Sequence, residues 1–173
     1  MEEPFGFCLV YIGSSANPGF RNFAIAATIV RGHEVHDRVS FDINPSSGHI
    51  LQTLAEKGYL TELVAAGAPA HQPGCNGCIR MGQAPAVGRI SLRMVPRNLP
   101  GRSGTREDSV YLCSPETAAA SALKGVITDP RDSSMSYERI KKPERFSTSK
   151  KRYSATNGRQ ALNGRHQPPT FCR

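Results

Sequence analysis

The chain has 173 residues, 38 % of them hydrophobic, enough for one core of ordinary size but hardly for two. No stretch approaches the roughly 20 apolar residues of a membrane span, which excludes a helical membrane protein. The net charge of +8 is not a property of the body: residues 138–173 hold 10 of the 22 Lys+Arg and 2 of the 14 Asp+Glu, so residues 1–137 are neutral and a basic nucleic-acid-binding body is excluded.

In chain order, MEEPFGFCLVYIGSS begins with an acidic pair where a secretory signal would be basic, and its apolar run is short. The expectation is a soluble, cytoplasmic chain in a reducing compartment, where five cysteines need not pair. FCLVYIG predicts a buried strand ending at Gly13. PGFRNFAIAATIVRG places Phe20, Phe23, Ala24, Ala27 and Val30 along one face of a helix closed by Gly32.

RVSFDI alternates Val39, Phe41 and Ile43 inward, and NPSS offers Ser46 or Ser47 as N-cap for a helix carrying Ile50, Leu51 and Leu54. A second short helix, Leu60 to Ala66, precedes Gly67. RISLRMV and SVYLC read as strands. SPETAAASALKG reads as a helix with Ser114 as cap, Pro115 in its first position and Gly125 after its end. Strands alternating with helices predict a three-layer α/β/α fold with a mainly parallel sheet over residues 1–137.

In such folds ligands collect where strands end and helices begin, so the informative loops are GSSANPG, PGCNGCIRMGQAP and PRNLPGRSGT. Cys75 and Cys78 in the second loop admit three chemistries: a redox dithiol, half of a zinc site, or part of an iron-sulfur site. Zinc is the weakest, because His33 and His36 lie far upstream and there is no second cysteine pair. Two small buried thiols in a turn also satisfy the spacing.

Several motifs in one unbroken order carry a resemblance. DINPSS, GCNGCIRMGQAP, PRNLPGRSGT and VYLCSPETAAASALKGVITDPR together resemble the third α/β/α domain of the aconitase family, from about Leu9 to about Phe146. That family comprises aconitate hydratase, homoaconitase and 3-isopropylmalate dehydratase. The resemblance implies dehydration and rehydration of a hydroxy di- or tricarboxylic acid at a [4Fe-4S] cluster held by three cysteines. It assigns two of those ligands to Cys75 and Cys78.

The family's remaining ligand lies in a loop of the form GSCTN; here Gly13 to Asn17 put Ser15 at the cysteine's position. An alcohol is a much poorer iron ligand than a thiolate, so the resemblance implies a weakened cluster site. Arg80 stands where the family has glycine, and Cys113 is a third thiol in a segment the family does not use for ligation. Arg97 and Arg102, in PRNLPGR, align with residues that contact substrate carboxylates, which a guanidinium fork suits.

The family's other domains, including the swivel domain with its serine base, have no counterpart in these residues, which reads either as a truncated, degenerate fragment or as one part of a split enzyme whose partner chains supply the rest. Residues 138–173, rich in Lys, Arg, Ser, Asn and Gly, predict a basic disordered tail. The functional expectation is part of an aconitase-type hydro-lyase that is inactive alone. The alternative is a non-catalytic scaffold whose tail binds nucleic acid.

Overall fold

The computed structural model describes residues 7–79, 81–104, 106–107, 109–132 and 138–146. Arg80 and the tail beyond residue 146 lie outside the described residues, and with them the expectations of a crowded cysteine loop and a disordered, nucleic-acid-binding terminus.

Four strands, β1 (Leu9–Gly13), β2 (Ser40–Asn44), β3 (Ile90–Met94) and β4 (Ser109–Leu112), form an all-parallel sheet in the order β2-β1-β3-β4. Four helices accompany it: α1 (Phe20–Val30), α2 (Gly48–Glu56), α3 (Tyr59–Ala65) and α4 (Pro115–Lys124). The arrangement accords with the expected α/β/α class. Among the described residues no helix is long and apolar enough to cross a membrane.

The caps read from the sequence are present. Ser47 Oγ accepts a hydrogen bond from the Ile50 N–H at the start of α2, and Ser114 Oγ accepts one from the Thr117 N–H at the start of α4. Pro115 opens α4, and Gly125 ends it with φ of 75°, the left-handed conformation that glycine reaches at least cost.

Side-chain alternation divides the sheet into two unlike faces. Val10, Ile12, Phe41, Ile43, Leu92 and Met94 join Phe23, Ala24, Ala27 and Val30 of α1 and Ala118, Ala119 and Ala122 of α4 in the main core. α1 packs on α4 and α3 over this face. Ile140 packs against the same core, and the Phe146 and Tyr59 rings stand edge-on to Phe20 at 6.1 and 5.8 Å.

The alternate positions of β1, β2 and β3, Leu9 and Gly13 apart, carry polar groups, and Tyr11, Asp42, Asn44, Ser91 and Arg93 among them are buried. Parallel sheets ordinarily bury apolar residues on both faces. Here the second face is a bed of hydrogen-bonding groups, and the loop containing Cys75 and Cys78 lies on it.

Candidate functional site

β1 and β2 run side by side to Gly13 and Asn44. At Gly13 a Cβ would stand 2.5 Å from Asn44 Cβ and 2.9 Å from its carbonyl oxygen, so only glycine fits. Ser14, buried, and Ser15, exposed, follow at the strand end where a ligand-binding loop is expected.

The cysteine loop is fastened to the polar face at several points. Tyr11 Oη donates to Asn44 Oδ1 at 2.7 Å and accepts from the Gly77 N–H at 3.1 Å. Asn44 Nδ2 donates to the Gln72 carbonyl at 2.6 Å. Arg93, fully buried, donates from Nη1 to the Gly77 carbonyl and from Nη2 to the Gln83 carbonyl, each at 2.7 Å. Its Nε donates to Ser91 Oγ at 3.1 Å, and its guanidinium carbon lies 5.3 Å from the centre of the Tyr11 ring, within cation–π range. Burial raises the Tyr11 phenol well above its ordinary value, so it stays protonated as a donor.

Further along the loop, His71 Nε2 lies 2.8 Å from Asp42 Oδ1 and 2.8 Å from Gln83 Nε2, while Ser40 Oγ donates to Asp42 Oδ2 at 2.7 Å. Both ends of the loop are thus tied to strand residues. Gly77 sits so close over Tyr11 that a Cβ would meet the ring at 2.6 Å. Gly77→Ala is therefore expected to destabilise the chain by about 1–3 kcal/mol through overpacking. Urea denaturation beside the parent checks this, and an unchanged midpoint would show that the ring gives way freely.

Cys75 and Cys78 meet within this frame, the latter in a 3₁₀ turn over Gly77–Ile79, with their sulfurs 2.6 Å apart. Cys78 is buried with Tyr11 and Val95, and Cys75 packs at the edge of that cluster. The thiol of Cys75 is lowered from its ordinary value, first by the hydrogen bond from Cys78 and then by hydrogen bonds from Ser15 and Ser14. That of Cys78 is raised, first by burial and then by its bond to Cys75, with the positive charge of Arg102 acting the other way.

The third loop reaches the same place. Ser103 Oγ donates to the Cys78 carbonyl at 3.1 Å, and Arg102 beside it is half-buried. Arg97 is exposed in the same segment, which Asn98 Nδ2 ties to the Val110 carbonyl of β4. A wider cleft of about 650 Å³, between Phe20, Lys57, Tyr59 and residues 138–145, holds none of these residues.

The structure therefore brings together Ser15, Cys75, Cys78 and the Arg102 segment, drawn from three loops. It does not bring in Cys113, which packs against the main core, with a thiol pushed up to about 12 by burial. Among the described residues no group of three Cys, His, Asp or Glu side chains could hold a metal ion. Two thiolates and a serine alcohol do not amount to the three-thiolate donor set that an iron-sulfur cluster of this kind requires.

Sequence reasoning passed over Tyr11, Asn44, Asp42, Arg93 and Ser103. A signal was available in SFDIN and RISLRM, where Ser40, Asp42 and Asn44, and Arg89, Ser91 and Arg93, alternate with apolar residues.

Residues 6–125 match the family model described as the aconitase family (aconitate hydratase). Over 124 residues the chain is 43 % identical to 3-isopropylmalate dehydratase large subunit 1 of Methanopyrus kandleri, covering 70 % of this chain and 29 % of that protein. It is 36 % identical over 124 residues to large subunit 2 of the same enzyme from Archaeoglobus fulgidus, covering 71 % and 30 %. A probable methanogen homoaconitase large subunit of Methanothermobacter thermautotrophicus is 36 % identical over 123 residues, covering 70 % and 28 %. The chain thus spans about three-tenths of the length of these relatives.

Proposed function

The chain belongs to the aconitase family, and from that premise we propose that it is the cysteine-loop and carboxylate-binding part of an aconitase-type hydro-lyase of the cytoplasm. The substrate class is a hydroxy di- or tricarboxylic acid, which loses and regains water. Arg97 and Arg102 are assigned to its carboxylates, and the base to a part of the enzyme outside these residues. The observation that carries this reading is the bond from Ser103 Oγ to the Cys78 carbonyl, which fastens the arginine segment beside the cysteine loop. Nothing among the described residues favours a scaffold with a nucleic-acid-binding tail.

A guanidinium binds a carboxylate through paired, charge-assisted hydrogen bonds worth more than neutral ones. Arg102→Met is expected to weaken binding of citrate or 3-isopropylmalate by about tenfold, the equivalent of one such bond. Calorimetric titration of parent and variant checks it, and equal affinities would remove Arg102 from the site. The purified chain alone is expected not to turn over citrate, isopropylmalate or homocitrate, because catalysis needs positioned groups on both sides of the substrate. Measurable turnover would refute the assignment of the base to a part of the enzyme outside these residues.

The separation of a folded domain from a basic tail, expected near residue 137, belongs to the same reading, with residues 138–146 on the folded side of it. Limited proteolysis is expected to leave a resistant core and to cut beyond about Arg145, since Ile140 and Phe146 are seated on the main core. Digestion at equal rates throughout would refute it.

A further inference from the structure

Two thiols that meet with no third thiolate, histidine or carboxylate beside them among the described residues have a chemistry of their own. We propose that Cys75 and Cys78 form a reversible redox dithiol, which closes to an intramolecular disulfide by exchange with a small soluble disulfide. The sulfurs are 2.6 Å apart, little longer than the ~2.05 Å of a disulfide bond, so closure needs little backbone movement.

The two partners differ in access. Cys75 is half-buried at the edge, while Cys78 is 1 % exposed beneath it. An incoming reagent therefore reaches Cys75 first, and Cys78 is placed to resolve the adduct. The turn bearing Cys78 is pinned by the bonds from the Gly77 N–H to Tyr11, from Arg93 to the Gly77 carbonyl and from Ser103 to the Cys78 carbonyl. The resolving sulfur thus stays beside the attacked one. Cys8 and Cys113 lie elsewhere, Cys8 with its sulfur 3.7 Å from the Ile90 carbonyl and Cys113 against the main core.

The exchange has two steps. The Cys75 thiolate, having given its proton to solvent, attacks one sulfur of the small disulfide; a bond from Sγ to that sulfur forms, the reagent's S–S bond breaks, and one small thiolate leaves and is protonated. Cys78, likewise deprotonated, then attacks Cys75 Sγ; the intramolecular S–S bond forms, the mixed disulfide breaks, and the second small thiolate leaves. The chain loses two electrons and two protons, and the reagent is reduced to two thiols. This chemistry does not depend on whether Arg97 and Arg102 bind a carboxylate.

The test equilibrates the full-length chain, purified anaerobically, with graded ratios of oxidised to reduced glutathione, followed by acid quench, alkylation and peptide mapping. Expected is a chain lighter by two hydrogens, with the loss at Cys75 and Cys78, fully reversed by excess reduced glutathione. In Cys78→Ser a mixed disulfide should collect on Cys75, because the sulfur that would displace the small thiolate is gone. In Cys75→Ser the remaining Cys78 should react about tenfold more slowly than Cys75 does in Cys78→Ser. The proposal is overturned if the parent keeps both thiols throughout, if it holds glutathione on Cys75 without closing, or if the two variants react equally fast. The parent measurement decides even where a variant does not fold.

Discussion

Replacing Arg93 by methionine is expected to lower the unfolding free energy by about 2–4 kcal/mol and to open Cys78 to alkylation. The guanidinium is fully buried and holds the Gly77 and Gln83 carbonyls at 2.7 Å, so its removal strips both of a charged donor. Each carbonyl left unpaired in the interior costs about 1–3 kcal/mol. Against this stands the several kcal/mol spent in burying a guanidinium, which a packed methionine would recover in part. The loss should win, because neither carbonyl can turn to water without carrying the loop, and Cys78 with it, off the Tyr11 ring. Arg93→Lys should fall between, since an ammonium is one point charge without the fork that spans two carbonyls. Urea midpoints and Cys78 alkylation rates measure the two consequences. A methionine variant as stable as the parent, with Cys78 equally protected, would mean that the buried cation is a net cost at this site.

The difference between what the sequence disclosed and what it hid follows from the two faces of the sheet. Val10, Ile12, Phe41, Ile43, Leu92 and Met94 recur at strand spacing, and Phe20, Phe23, Ala24, Ala27 and Val30 at helix spacing, so the main core and its elements could be read directly. Ser47, Ser114, Pro115 and Gly125 marked helix ends because each has a local backbone reason to be there. The polar face is marked by alternation in β2 and β3, but that alternation does not say what its side chains hold. Tyr11, Asn44 and Arg93 are understood only from their partners, and Gly77 lies 66 residues from Tyr11 along the chain. The same limit applies to the site: Cys75 and Cys78 announce themselves by spacing, and Ser15 and Arg102 by family resemblance. That Ser103 joins the arginine segment to the Cys78 carbonyl is a matter of tertiary distance alone.

Ser15→Cys is expected to convert this two-thiol site into one that retains an iron-sulfur cluster. Ser15 follows the end of β1 and helps to lower the Cys75 thiol, and Cys75 itself lies beside Cys78, so a thiol placed there would be a third sulfur near the pair. A thiolate is a far better ligand for iron than an alcohol. Loss of a partner that merely orients a ligand changes metal affinity by 10–100-fold, so gain of a ligand itself should slow loss of iron in air by about a hundredfold. The third sulfur would also compete with the dithiol chemistry, since a cluster ligated by Cys75 and Cys78 withdraws both from exchange with small disulfides. Anaerobic reconstitution of parent and variant, followed by absorption and paramagnetic-resonance spectra during exposure to air, supplies the measurement. Equal retention by both chains would show that Ser15 is not the position of the missing ligand. Retention by neither would move attention to the substituted glycine position, and Arg80→Gly combined with Ser15→Cys is then the variant that separates a shortage of ligands from a loop that cannot admit the cluster.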